Sequence, residues 1–320
     1  MKKIVKQIFC LSVCIYSVFN LSAQTPSDAL MMQKGEFCFG LNYEYGSWDQ
    51  YWEGTDLRSN ETIATLRRQA FMPGVSIGIL NRVNLILSVP HIKTSSSEPN
   101  GGKFQGAKGF QDLSIVLKTQ LFHREIGKGD LSLLTALGFS TPISRYLSDY
   151  MPYSLGLGAN QWTFRGIAQY RLHSGLYAHA ALAYLWRGLT EAERDYYYNN
   201  GSYYTAFMDV PNAWNYHGSV GIWLFDNSLK VEANYMGLKS LSGDDIRAYN
   251  APQPTNKIQF DQVGFFSQYY FKKSLKGLGV LAYYNQIIQG RNMGKFSTFG
   301  LGLTYQFKLQ FKSKSNTQED

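Results

Sequence analysis

Apolar and polar residues alternate one by one along most of this chain, in segments of about ten residues. Phe37, Phe39, Leu41, Tyr43 and Tyr45 alternate with Cys38, Gly40, Asn42, Glu44 and Gly46. Leu113, Ile115, Leu117 and Leu121 alternate with Asp112, Ser114, Lys118 and Gln120. The same pattern sets Trp162, Phe164, Ala168 and Tyr170 against Gln161, Thr163, Arg165, Gln169 and Arg171. It recurs at 229–235 and again at 298–307. A helix would need period 3.6, so these are strands with two differently solvated faces. A strand that crosses a membrane shows one face to lipid and one to a lumen over about 9–11 residues.

The pattern predicts about twelve strands, near 36–47, 62–79, 83–95, 110–122, 130–141, 160–172, 175–187, 214–225, 228–238, 260–271, 278–287 and 297–308. Their connections alternate in length. Asn81-Arg82, His173-Ser174 and Asp226-Asn227 are tight turns, and 123–128 and 272–277 are short. Between them fall longer loops at 48–61, 96–109, 142–159, 188–213, 239–259 and 288–296. Short periplasmic turns and long extracellular loops are the asymmetry of outer-membrane barrels. Lipid cannot satisfy backbone N–H and C=O groups, so the last strand is expected to close on the first. The fold class is therefore all-β, an antiparallel transmembrane barrel spanning 24–311, followed by a polar tail at 312–320.

The N-terminus explains how such a chain reaches that membrane. Lys2, Lys3 and Lys6 precede an apolar run from Ile8 to Leu21, and Ser22-Ala23 precedes Gln24. This reads as a secretory signal over 1–23. Its removal takes the formal charge from +8 to +5. No Lys/Arg cluster points to nucleic acid. Cys10 and Cys14 leave with the signal, so Cys38 has no intramolecular disulfide partner and reads as a small strand residue. The 23 Tyr and 20 Phe suit strands and the aromatic girdles that flank the lipid band. Tyr43, Tyr45, Trp162 and Trp186 read as girdle.

Gly109-Phe110-Gln111-Asp112-Leu113 through Lys118 resembles the Gly-x-Gly-Asp-Leu-x-x-x-x-Lys strand of a barrel family named for the meta-pathway of phenol degradation. Ser140-Thr141-Pro142, then Leu155-Gly156-Leu157-Gly158 and Tyr170-Arg171-Leu172, are similar to the segments that follow there. Gln111 departs from the family's Gly. The family is distantly related to FadL-type transporters of hydrophobic compounds, so the resemblance implies a porin-like channel for small hydrophobic or aromatic compounds. Only about a dozen residues lie between the expected cleavage site and the first strand, so a FadL-like N-terminal plug is not expected.

Inward-facing candidates are Arg165, Gln169, Arg171, His179, His217, Lys230, Glu232, Asn234 and Gln268, with aromatic Trp223, Phe266, Tyr270 and Tyr283. Such a lining suits a narrow passage for a small amphipathic solute. The alternative is that these groups pair across the lumen and plug it, leaving a structural or surface-binding barrel. The Tyr/Asn-rich stretch 196–204 fits that reading. A third reading, an outer-membrane lipid hydrolase, rests on His217 and Ser219, which share a strand face. That face lies opposite Trp214, Tyr216 and Val220, away from lipid, so no enzyme is expected. The loop acids Asp49, Glu53, Asp56, Glu191, Glu193, Asp195, Asp244 and Asp245 match no EF-hand spacing and read as solvated. No metal or cofactor is expected. The expected partners are outer-membrane lipid and lipopolysaccharide and a small hydrophobic or amphipathic solute.

Overall fold

The computed structural model describes residues 24–247 and 252–309; the signal expected at 1–23 and the tail at 312–320 lie outside them. A closed 12-strand antiparallel barrel forms the body. Its strands are β1 (Glu36–Trp48), β2 (Leu66–Leu80), β3 (Val83–Ser88 and His91–Asn100), β4 (Phe104–Phe110 and Asp112–Ile126), β5 (Gly129–Pro142) and β6 (Gln161–Leu172). They continue as β7 (Leu176–Arg187), β8 (Ala213–Leu224), β9 (Leu229–Ser240), β10 (Gln259–Tyr270), β11 (Leu278–Arg291) and β12 (Ser297–Lys308).

Closure falls on β1. One edge pairs with β12 from Glu36↔Lys308 to Ser47↔Ser297, and the other pairs with β2 from Phe37↔Ile77 to Trp48↔Leu66. The ring has no open edge to present to hydrocarbon. This register puts Phe39, Leu41, Leu182, Val220, Phe265, Leu301 and Leu303 outside, all exposed. A continuous apolar belt of this kind is a liability in water and the solvated face in lipid. Aromatic pairs mark its long-loop rim, among them Phe139 on Trp162 at 4.8 Å and Tyr184 on Trp214 at 5.2 Å. Phe37 stacks on Phe307 at 5.5 Å at the short-turn rim. The protein is thus a barrel of the outer membrane.

Leu303, at the middle of β12, tests the belt. A guanidinium at the bilayer midplane costs about 2–4 kcal/mol. Leu303→Arg is expected to lower the folded fraction in phosphatidylcholine vesicles, read from the heat-dependent gel mobility of folded barrels. Equal folding of variant and parent would mean that this face does not meet lipid.

The structure corrects two boundaries. The loop expected at 96–109 is mostly a hairpin: His91–Asn100 pairs with Phe104–Phe110, and the turn sits at Gly101 and Gly102, with φ of +58° and +75°. This hairpin continues β3 and β4 beyond the apolar belt, where no lipid demands an apolar outer face, and its inner face, Ile92, Thr94 and Ser96, is buried under the loops. β2 begins at Leu66 and not at 62, because Ala64 (φ +54°) turns the chain and buries Ile63. The first loop carries its own hairpin, Gln50–Glu53 with Asp56–Ser59.

Candidate functional site

The lumen is occupied, and the occupant is the chain's own N-terminal segment. Gly35 N–H donates to Gly78 O (2.8 Å), which fixes the segment at the short-turn rim before it runs up inside the barrel. Asn84, fully buried on β3, donates from Nδ2 to Met32 O (3.0 Å) and accepts from Met32 N–H (3.2 Å). Further in, Asp28 organises a compact turn, accepting from Leu30 N–H at 2.9 Å, while Thr25 Oγ1 accepts from Asp28 N–H at 3.1 Å. Lys118 Nζ donates to Thr25 O (2.9 Å), Asp28 O (3.2 Å) and Asp28 Oδ1 (2.8 Å), and its side chain has 0% exposure. A buried ammonium needs its three donors satisfied, and this turn satisfies all three.

His179 grips the same turn. Its Nε2 donates to Ser27 O at 2.6 Å. A carbonyl can only accept, so Nε2 carries the proton, and Nδ1 of the neutral ring accepts from Ser219 Oγ at 3.3 Å. Apolar contacts complete the seat: Ala29 packs on Leu134, Ile167 and Ala181, and Leu30 on Tyr177, Trp223 and Tyr270. A FadL-like plug is not expected from so short a segment, and the short segment itself enters the lumen. A lumen bounded by twelve strands needs only a compact loop to fill it, and polar wall groups supply the seat.

The structure brings several of the expected lumen residues into this seat. Lys230 Nζ pairs with Glu232 Oε2 at 3.0 Å, two residues along the same face of β9, and Tyr177 Oη donates to the same oxygen at 2.7 Å. Lys230 also lies over the Phe266 ring, 5.1 Å from its centroid. Arg171 lies over Trp223 (5.4 Å), which stacks on Tyr270 (5.9 Å), near the periplasmic rim. His179 and His217, far apart in sequence, meet with ring centroids 5.1 Å apart. The β7–β8 register sets Ala181 opposite His217 and His179 opposite Ser219. Ser219 therefore bonds His179 across strands, and His217 Nδ1 is buried without a hydrogen-bond partner. The Gln268 side-chain nitrogen is likewise buried and unpartnered. Asn234 lies against Gly264, its cross-strand partner on β10. Gln169 is half-buried on the same face of β6, outside the seat. Tyr283 donates to Glu44 Oε2 (3.0 Å), whose other oxygen accepts from Arg68 Nη1 (2.7 Å). The groups sequence reasoning missed are Asp28, Asn84, Lys118, Tyr177, Glu44 and Arg68. Their inward parity was visible for the strand residues, but their partners were not.

Above the segment, toward the long loops, lies a cavity of about 150 Å³ between Pro26 and the walls of β4, β5 and β6. The long loops knit together over it. Tyr153, with 0% exposure, packs among Trp48, Ile63 and Leu66 and hydrogen-bonds Ser96 Oγ at 2.7 Å. Thr190 donates to Ser148 (2.9 Å), and Arg194 pairs with Asp149 (3.2 Å). Gln253 donates to Tyr198 O at 2.6 Å. Asp245 takes both Nε and Nη2 of Arg291 at 2.7 Å, with Asn292 Nδ2 at 2.8 Å. The expectation of solvated loop acids thus fails at Asp244, which is buried, and at Asp245, which ties one loop to another.

The Arg291 hydrogen bonds hold the Asp245 carboxyl below its ordinary range, against the upward push of partial burial. A carboxyl depressed on folding stabilises above its unfolded value of about 3.9, and that contribution is lost as pH falls through the lower folded value. Pepsin cleavage of the 241–258 loop is therefore expected to rise as pH falls from about 4 to about 2, and Asp245→Asn to remove that rise. A flat profile in the parent would exclude the tether.

An outer-membrane channel from Pseudomonas putida F1 superposes with a TM-score of 0.67 at 12% identity, covering 89% of this chain and 100% of that one. The NanC porin aligns with a TM-score of 0.45 at 9% identity, covering 83% of this chain and 98% of that one. The translocator domain of the NalP autotransporter from Neisseria meningitidis aligns at 0.43 and 13% identity, covering 85% and 88%. No family model matches the chain. No curated protein matches it either. The fold is that of outer-membrane channel barrels.

Proposed function

We propose that the protein is a gated outer-membrane channel for small hydrophobic or amphipathic solutes, with the segment 24–33 as its gate. The observation that carries this reading is the way the lumen is filled. The wall leaves a lumen that a ten-residue piece of chain occupies through hydrogen bonds to Asn84, Lys118 and His179. A purely structural barrel of this kind would be filled by the side chains of its own strands. The mixed lining of charge and aromatic rings, Lys230, Glu232, Trp223, Phe266 and Tyr270 among them, suits an amphipathic passenger. The resemblance at 109–172 adds aromatic compounds as the class to try first. Outside, the belt meets lipid, and the loop rim meets lipopolysaccharide.

Single-channel conductance of the refolded protein in a planar bilayer tests this. Discrete openings, blocked by added small aromatic or fatty compounds, are expected. A barrel that inserts and stays silent, even with the gate removed, would overturn the proposal. The second reading, a closed barrel that binds at the cell surface, would then gain from the exposed Tyr196, Tyr203 and Tyr204 on the loop tip.

A further inference from the structure

Within that proposed lumen, Arg165 is a cation without an acid beside it. Lys118 is paired with Asp28, Lys230 with Glu232, and Arg68 with Glu44. Arg165 has no carboxylate in ion-pair reach among the described residues. Its one hydrogen bond runs from Nη1 to Asn215 Oδ1 at 3.3 Å, and its Nε is buried without any partner. A guanidinium carries five donors in a planar fork, matched to the two oxygens of a carboxylate. Leaving such a group buried and unpaired is costly.

Arg165 also lines the cavity of about 150 Å³, together with Gln161, Thr163, Pro26, Val116 and Ala136. The wall is divided. Gln161 and Thr163 present polar groups beside Arg165, and Pro26, Val116 and Ala136 present an apolar surface. Gln161 is itself held in place, since its Oε1 accepts from Arg187 Nε at 2.9 Å and its Nε2 donates to Thr163 Oγ1 at 3.3 Å. Arg187 has neutral partners only, this amide and Pro211 O at 3.0 Å, so it adds positive potential without an acid to cancel it. A volume of about 150 Å³ has room for one benzene-sized ring.

We propose that this cavity is a binding site for a small organic monocarboxylate, with the carboxylate on Arg165 and a ring or short chain against Pro26, Val116 and Ala136. This deepens the channel reading by naming the passenger's chemistry, and it rests on that reading for its role as a way-station above the gate. The unpaired Nε supplies the missing donor, and the divided wall selects an anion with an apolar body over a bare inorganic anion.

The test is equilibrium binding of 4-fluorobenzoate to the refolded full chain in detergent, followed by the fluorine resonance, with 4-fluorobenzyl alcohol and acetate as comparison probes. The acid is expected to bind at least about tenfold more tightly than either, as a charge-assisted pair and an apolar wall each contribute on that scale. Arg165→Gln is expected to remove about tenfold or more of the acid's affinity and to leave the alcohol unchanged. Ala136→Leu, which fills the cavity and keeps the arginine, is expected to weaken 4-fluorobenzoate and spare acetate. Equal binding of acid and alcohol, or an acid affinity untouched by both variants, would overturn the proposal. Conductance is read separately: binding without conductance leaves the site standing and removes the channel, and conductance without binding does the reverse.

Discussion

Lys118→Ala is expected to convert a mostly closed barrel into a mostly open one. Lys118 alone provides three of the bonds that hold the Thr25–Asp28 turn, and it is fully buried. Breaking one side of a buried ion pair costs about 3–5 kcal/mol when the partner must stay buried. Here Asp28 need not stay, because its segment is covalently joined to the wall only at the rim, through the start of β1. The cost therefore falls on the plugged state and not on the barrel. A shift of about 3 kcal/mol multiplies the open-to-closed ratio by roughly a hundredfold. Single-channel records should show long openings where the parent shows brief ones, with the folded fraction unchanged. Deleting 24–33 should give the same conductance level. Records of Lys118→Ala that match the parent would show that this contact does not hold the gate.

The second large effect is expected at Tyr153. It lies among Trp48, Ile63 and Leu66, is 0% exposed, and its hydroxyl reaches Ser96. Truncating a buried aromatic to alanine costs about 3–5 kcal/mol. Tyr153 belongs to the 143–160 loop, so the loss is local to the loop cover and the barrel ladder persists. Trypsin cleavage after Arg145, on the same loop, should accelerate by roughly ten- to a hundredfold, since cleavage follows the population of the locally opened loop. Unaltered cleavage in Tyr153→Ala would mean that the loop is anchored elsewhere, for example through Ser148 and Asp149.

Some of this was legible in the residues and some was not, for physical reasons. The strands were legible because lipid and lumen impose opposite solvation on neighbouring positions. Leu301 and Leu303 had to face out where Gly302 and Thr304 faced in. The hairpin at 91–110 was not, because above the membrane that pressure vanishes and Ser95, Ser96 and Ser97 look like loop. The inward parity of His179, His217, Lys230 and Glu232 followed from the same alternation. Their meeting did not, since it depends on register between β7 and β8. The N-terminal segment was the largest omission. It has no periodicity of its own, and its bonds join residues far apart in sequence, such as Asp28 with Lys118 and Ser27 with His179. Arg165 was recognised as a lumen group, but its lack of an acid is visible only once every nearby carboxylate has a place.

The bonds from Gln24 to Met32 onto the wall share one property: on the wall side each ends in a side chain, that of Asn84, Lys118 or His179. Among the described residues, no ladder hydrogen bond of the barrel is spent on them. Variation at these three positions can therefore retune how readily the passage opens, one substitution at a time, while the ring keeps its strand pairing and its fit to the membrane. The lineage of such a barrel is free to explore tight and leaky forms without passing through a broken fold.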